Sequence, residues 1–230
     1  MIDKWQKALD NGKVAGALLT DLSKAFDCLN HELLIAKLEA YAFDKSSLRY
    51  IYSYLSDRNQ RTKVNNSYSK WCNLRTGVPQ GSILGPLLFN IYINDIFYFV
   101  TKNDIANYAD DNTLYSVENT TDSLLSSLVN DTDILVQWFT DNYLKLNADK
   151  CHLLISKHNK EICINVGNEV IECENSVKLL GVTIDNKLNF NEHVSNIYKK
   201  ASQKLHVLAR ISNYMCQDKL RFLMKSFIES

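Results

Sequence analysis

Tyr108-Ala109-Asp110-Asp111 sets two adjacent carboxylates between the short apolar runs Ile105-Ala106 and Leu114-Tyr115. That layout suits the tip of a tight β-hairpin with an apolar strand on either side. Neighbouring acids repel, and holding them together costs stability unless a cation stands between them. Taken alone, the pair also fits an ordinary turn, whose Asp side chains bond nearby backbone amides. Two other stretches point beyond that simpler reading. One is Asp21, at the end of an apolar run; the other is the glycine-bounded loop Gly77-Val78-Pro79-Gln80-Gly81.

A chain of 230 residues holds one large domain, or one domain with an appendage. Hydrophobic residues make up 46% and charged residues 23%, so a packed core is expected and wholesale disorder is not. Asn90, Asn94 and Asp95 interrupt the apolar stretch from Leu84 to Val100, which argues against a membrane partner. Met1-Ile2-Asp3-Lys4-Trp5 lacks the apolar centre of a signal peptide. The 6 cysteines form no Cys-x-x-Cys pair and read as reduced thiols of an intracellular protein, nuclear or cytoplasmic.

Net charge is zero but unevenly spread. Residues 37–75 carry 8 Lys/Arg against 3 Asp/Glu, 94–150 carry 3 against 10, and 191–230 carry 7 against 3. An acidic centre between basic flanks suits a metal-dependent enzyme acting on polyphosphate, although solvated helix faces give the same counts.

Val14 to Leu19 is nearly unbroken apolar and reads as a buried strand that delivers Asp21. Asp27 to Asn30 reads as a turn, with a helix starting near Asn30. Ser46 to Leu55 reads as a second helix capped by Ser46 or Ser47. Arg58 to Leu74 is expected to be a β-hairpin carrying Arg61 and Lys63 on one face, either against a phosphate backbone or simply in solvent. The loop at Gly77 opens a helix to about Val100, apolar all round and so expected to be deeply buried. A glycine-flanked Gln80 at that helix entrance can place an amide against a ligand, or merely start a helix. Thr121 or Asp122 caps a helix to about Thr140. Strands follow at 152–155, 162–166, 170–173 and 177–184, the last with Gly181 inside it. Two helices close the chain, the second over Gln217 to Ile228. No internal repeat is present.

Leu19-Thr20-Asp21-Leu22-Ser23-Lys24-Ala25-Phe26-Asp27 resembles the first catalytic motif of reverse transcriptases of non-LTR retrotransposons, the jockey-like and LINE-like group. Residues 77–89, from Gly77 to Phe89, resemble their second motif, and Tyr108-Ala109-Asp110-Asp111 their third. Leu144 to Lys150 is similar to the fourth motif, and Lys178-Leu179-Leu180-Gly181-Val182 to the primer-gripping segment. Together these motifs cover essentially the whole chain in family order.

The resemblance implies an α+β fold, a polymerase palm with a ferredoxin-like antiparallel sheet backed by helices. The palm would span residues 1–185, with the start of a helical thumb over 186–230. It implies RNA-directed DNA polymerase chemistry on an RNA template, a DNA primer and deoxynucleoside triphosphates. Two Mg²⁺ ions roughly 3.5–4 Å apart serve such chemistry, so carboxylates from separate strands must converge. Asp21 and Asp110 are the implied bridging ligands, with Asp111 beside them and the Leu22 carbonyl as a further oxygen ligand. Lys150 would donate a proton to the departing pyrophosphate, unless it is only a surface lysine. Phe26 would crowd a ribose 2′-hydroxyl, although a core aromatic fits its spacing equally. Gln80 and Gly81 would meet the incoming nucleotide and template, and Gly181 the primer.

Two departures stand out. Asn112 occupies a position where Thr is expected. Asp21 follows Met1 by only twenty positions, so the family's fingers and endonuclease are expected to be missing, and the piece to be cut from a longer polyprotein. A catalytically inactive relic that at most binds nucleic acid is the alternative; a palm-fold nucleotide cyclase gives no reason for the Gln80 loop. If Phe26 lies under the sugar, Phe26→Val should admit ribonucleotides in primer extension, and unchanged sugar selectivity in an active protein would defeat that reading.

Overall fold

The computed structural model describes residues 1–156 and 162–227. The chain forms two compact units, Met1–Glu174 and Asn175–Ser230.

The first unit opens with α1 (Ile2–Asp10), which buries Trp5 and Ala8, and β1 (Val14–Thr20), in which all seven residues are buried. Small residues make that possible. A Cβ at Gly16 would come within 2.8 Å of the Leu124 side chain. Next come α2 (Ala25–Cys28), α3 (His31–Ala40) and α4 (Lys45–Leu55). The turn expected at Asp27 is therefore one turn of helix. Asn30 caps α3 by accepting from the Leu33 amide at 2.9 Å. Asp44 caps α4, not Ser46 or Ser47. Its carboxylate accepts from both serine hydroxyls and both serine amides, which holds it well below the usual carboxylate range.

The expected single hairpin at 58–74 is divided. β2 (Arg58–Gln60) pairs with β5 (Cys72–Leu74), while β3 (Lys63–Val64) pairs with β4 (Ser67–Tyr68). Between them the Ser69 hydroxyl accepts from the Thr62 amide at 2.9 Å, so a side chain takes the place of a ladder bond. The Arg61 guanidinium stacks on Tyr68 and Trp71, at 4.1 and 4.5 Å from their ring centroids.

α5 (Leu84–Ile93) is shorter than expected, because the chain tightens into a 3-10 helix at Asn94–Tyr98. There Asp95 is drawn to the Lys37 ammonium at 2.7 Å. The helix is also less buried than its composition implies. Leu88, Phe89 and Tyr92 pack inward, but Ile83 is 95% and Leu87 54% exposed.

β6 (Asp104–Tyr108) and β7 (Asp111–Glu118) form the expected hairpin, and α6 (Thr121–Asp141) follows, capped by Thr120 and not by Thr121 or Asp122. β8 (His152–Ile155), β9 (Cys163–Val166) and β10 (Glu169–Glu174) complete a six-stranded sheet in the order β6-β7-β1-β8-β10-β9. Its pairings are antiparallel except β8 with β10. The α+β architecture, an antiparallel-dominated sheet backed by helices, is as expected. α6 packs on β1, β7 and β9, and its Leu124, Leu128, Leu135 and Phe139 enter the core with Leu18, Leu114 and Leu153.

The second unit holds β11 (Ser176–Leu179) and β12 (Val182–Asp185), then α7 (Asn191–Ile211) and α8 (Gln217–Phe227). The strand expected at 177–184 is thus a hairpin. Leu180 and Gly181 form its two-residue turn with φ of 47° and 88°, the positive values a tight hairpin requires. The end expected at Ile228 lies outside the described residues. Among the described residues no helix is long and apolar enough to cross a membrane.

Asp131 ties the sheet hairpin to α6. It is fully buried, and one oxygen accepts from the Lys102 and Asn103 amides at 3.0 and 2.8 Å and from the Asn103 side chain at 2.9 Å. Asp131→Ala strands those donors, so urea unfolding should show a stability loss of about 3 kcal/mol with an unchanged m-value.

Candidate active site

Antiparallel pairing of β1 with β7 sets Thr20 opposite Asn112. Asp21 therefore leaves β1 beside the turn that carries Asp110 and Asp111. Ala109 makes the turn with φ of 54°, and Tyr108 pairs with Asp111 across it. Asn112 is buried, and its side-chain amide donates to the Asp110 carbonyl at 3.0 Å. The residue that departs from the expected Thr thus braces the acidic turn.

A second contact fixes Asp21 from the other side. The Asn147 amide donates to the Asp21 carbonyl at 2.9 Å, and the Ser23 amide donates to the Lys145 carbonyl at 2.7 Å. These two bonds flank Leu22, which bridges Leu146, and neither uses the Leu22 carbonyl. Lys150 follows on a 3-10 turn (Ala148–Lys150) and donates to Asp21 Oδ2 at 3.2 Å. The lysine side chain is 63% exposed against 23% for the acid, so Lys150 meets Asp21 from the solvent side.

The acids share one electrostatic field. Asp111 is pushed above its ordinary carboxylate value, first by partial burial, then by the charges of Asp110 and Asp21, with Lys150 opposing. Below them Cys151 is buried, and burial pushes its thiol up. All the donors in the acidic cluster are oxygens, the set a hard divalent cation takes, and their mutual repulsion is what such an ion relieves. Among the described residues, no three His, Cys, Asp or Glu side chains form a group that could hold a metal ion.

Phe26 and Gln80 sit on two segments, 26–29 and 76–80, that hydrogen bonds join. The Phe26 carbonyl accepts from the Val78 amide at 2.9 Å, and Gln80 Nε2 donates to Asp27 Oδ1 at 3.1 Å. Gly77 is required there: a Cβ would lie 2.8 Å from the Asp27 backbone, and its φ is 81°. Gly81 is exposed with φ of 75°. A cavity of about 470 Å³ opens beside this loop, lined by Lys24, Asp27, His31, Arg58, Gln60 and Gln80. Asp27, Lys24 and His31 carry no signal in the sequence that singles them out for this place. The sequence reading places Gly181 with the primer; it belongs to the second unit, at the β11–β12 turn.

A family profile described as reverse transcriptase (RNA-dependent DNA polymerase) matches residues 2–184. The chain belongs to this family. This reverse transcriptase domain is 30% identical over 218 residues to the probable RNA-directed DNA polymerase from transposon BS of Drosophila melanogaster, covering 90% of the domain and 24% of that protein. It is 28% identical to the RNA-directed DNA polymerase from mobile element jockey of the same fly, covering 86% of the domain and 23% of that protein. These relatives make it a reverse transcriptase domain of the non-LTR retrotransposon type, spanning about a quarter of the length of the relatives it matches. A solved telomerase from Candida tropicalis, in complex with the TWJ fragment of telomeric RNA, shares the fold. Its TM-score is 0.58 at 13% identity, over 99% of this chain and 40% of that one. The apo enzyme truncated from its C-terminal domain gives 0.58 at 15% identity, over 83% and 38%.

A raised carboxyl binds its proton more tightly folded than unfolded, so folding stability falls as pH climbs from the ordinary carboxylate range through the Asp111 value. Asp111→Asn should therefore raise the metal-free Tm at pH 7 by roughly 1–2 °C. Millimolar Mg²⁺ should raise the Tm of the native domain and leave that of Asp110→Ala unmoved. Scanning calorimetry across pH, with and without Mg²⁺, reads all three.

Proposed function

We propose that this reverse transcriptase domain is the palm of an RNA-directed DNA polymerase, with residues from 186 onward beginning a helical thumb. The observation that supports the reading is the β1–β7 register, which sets Asp21 at the strand end beside the Asp110–Asp111 turn, where Asp111 feels both neighbouring charges. Its substrates are an RNA template, a DNA primer and deoxynucleoside triphosphates.

Enzymes of this family generally use divalent metal ions. Asp21, Asp110, Asp111 and the Leu22 carbonyl would hold two Mg²⁺ ions. Such ions supply a more acidic primer 3′-hydroxyl and neutralise charge gathering on the triphosphate. The chain's own groups do the rest. Lys150, held at Asp21 by a single exposed ion pair, can turn to give the departing pyrophosphate a proton. Phe26 lies under the incoming sugar and bars a 2′-hydroxyl. Gln80, oriented by Asp27, presents its amide oxygen to the nucleotide or template base, and Gly81 lets the chain pass close by. Gly181 does the same for the primer. Arg61 and Lys63, stacked on exposed aromatic rings, suit a single-stranded template, where cations and π-faces act together.

The test is Mg²⁺-dependent extension of a DNA primer on an RNA template by the chain as it stands. Extension is expected, and Asp110→Ala should lower it at least about a hundredfold while the far-UV spectrum and the cooperative metal-free unfolding stay native. Equal signals from the two proteins would point to a contaminating polymerase and defeat the proposal.

A further inference from the structure

We infer that Phe89 is a positioning residue for the Phe26 ring and, through that ring, a determinant of which sugar the site accepts. The inference rests on the reading that Phe26 lies under the incoming sugar. Phe89 itself is fully buried and can touch no substrate.

The backbone that carries Phe26 has little freedom. Its carbonyl accepts from the Val78 amide at 2.9 Å, the Asp27 carbonyl accepts from the Thr76 hydroxyl at 3.0 Å, and the Leu29 carbonyl accepts from the Gly77 amide at 2.8 Å. Three bonds within four residues lace α2 onto the loop, and the lack of room for a Cβ at Gly77 keeps that contact tight. What remains is rotation of the ring about its side-chain bonds. The outer torsion of Phe is broad and only weakly held by intrinsic preference.

The face of Phe89 limits that rotation. The two rings stack with centroids 4.6 Å apart and planes 28° from parallel, within the range over which aromatic pairs attract. Phe89 is locked in turn, because Tyr92 and Ile93 follow it at helical spacing on α5 and are buried with it. Phe26 is half-buried, with its ring stacked on Phe89. Exclusion of a single oxygen depends on ring placement at the ångström scale. A branched aliphatic at position 89 fills most of the volume but offers no plane, and the ring above it can tilt away.

The experiment compares dATP with ATP in primer extension on a uridine template, using the full chain and its Phe89→Leu, Phe89→Met, Phe89→Tyr and Phe26→Val variants. Phe89→Leu and Phe89→Met should lower the deoxy preference about three- to tenfold, the span an aromatic pair of this geometry supports. The change should come from a lower KM for ATP, with kcat for dATP kept within about twofold. Phe89→Tyr, which keeps the plane, should retain the preference. Because the readout is a ratio within one preparation, partly unfolded protein cancels. Equilibrium binding of the two nucleotides to the primer–template complex, with Ca²⁺ in place of Mg²⁺, gives the same ratio without turnover.

If Phe26→Val loses the preference and both aliphatic variants at position 89 keep it, the positioning role of Phe89 is wrong and the sugar contact of Phe26 stands. If Phe26→Val also keeps it, or the native chain shows none in either assay, both fall. An equal drop in kcat for the two nucleotides would mark Phe89 as core only and would overturn the inference.

Discussion

The register between β1 and β7 is the constraint on which the site depends. A strand's side chains alternate between faces, so a slip of one residue would turn Asp21 away from the turn that bears Asp110 and Asp111. That register is held by burial. All of β1 is sequestered, Leu18 and Leu114 oppose each other within the core, and the Thr20 hydroxyl donates to the Asn112 carbonyl at 3.3 Å. The packing that secures the sheet is therefore also what brings acids from distant parts of the chain together.

Those acids are a local cost that the fold sustains. Partial burial and two neighbouring charges disfavour ionised Asp111, and Lys150 offsets the repulsion only in part. Asn112 and Asn147 fix the backbone on either side of the repulsion, so it does not spread into the sheet. A rigid frame with a strained polar end is the arrangement expected where a charged ligand is to be received.

Much of this was legible from residue order. The unbroken apolar run at 14–19, the acidic hairpin and the glycine-bounded loop placed β1, the β6–β7 turn and the start of α5 correctly, because each has a local period or a local turn chemistry. What escaped was decided between distant segments. Nothing near Asp131 in the sequence indicates that it will be buried under two amides from the 102–103 segment. Ile83 and Leu87 look like core until the helix is seen to expose one side. Gln80 could be singled out as a ligand-facing amide, but its partner Asp27 lies 53 residues upstream. The stack of Phe26 on Phe89 joins two segments that carry separate motifs. Ser69 broke a hairpin that alternation alone would have kept whole, because a hydroxyl can stand in for a backbone group.

The sheet order also bears on how the chain comes to be made. β1 emerges from the ribosome first among the strands, yet both of its neighbours come much later, β7 at 111–118 and β8 at 152–155. Until residue 118 has been synthesised this wholly buried strand has no partner, and its second edge stays open until about residue 155. Contacts of such long sequence separation slow folding and leave sticky surface waiting. The meeting of Asp21 with the 147–150 segment is therefore among the last features of this unit to be assembled.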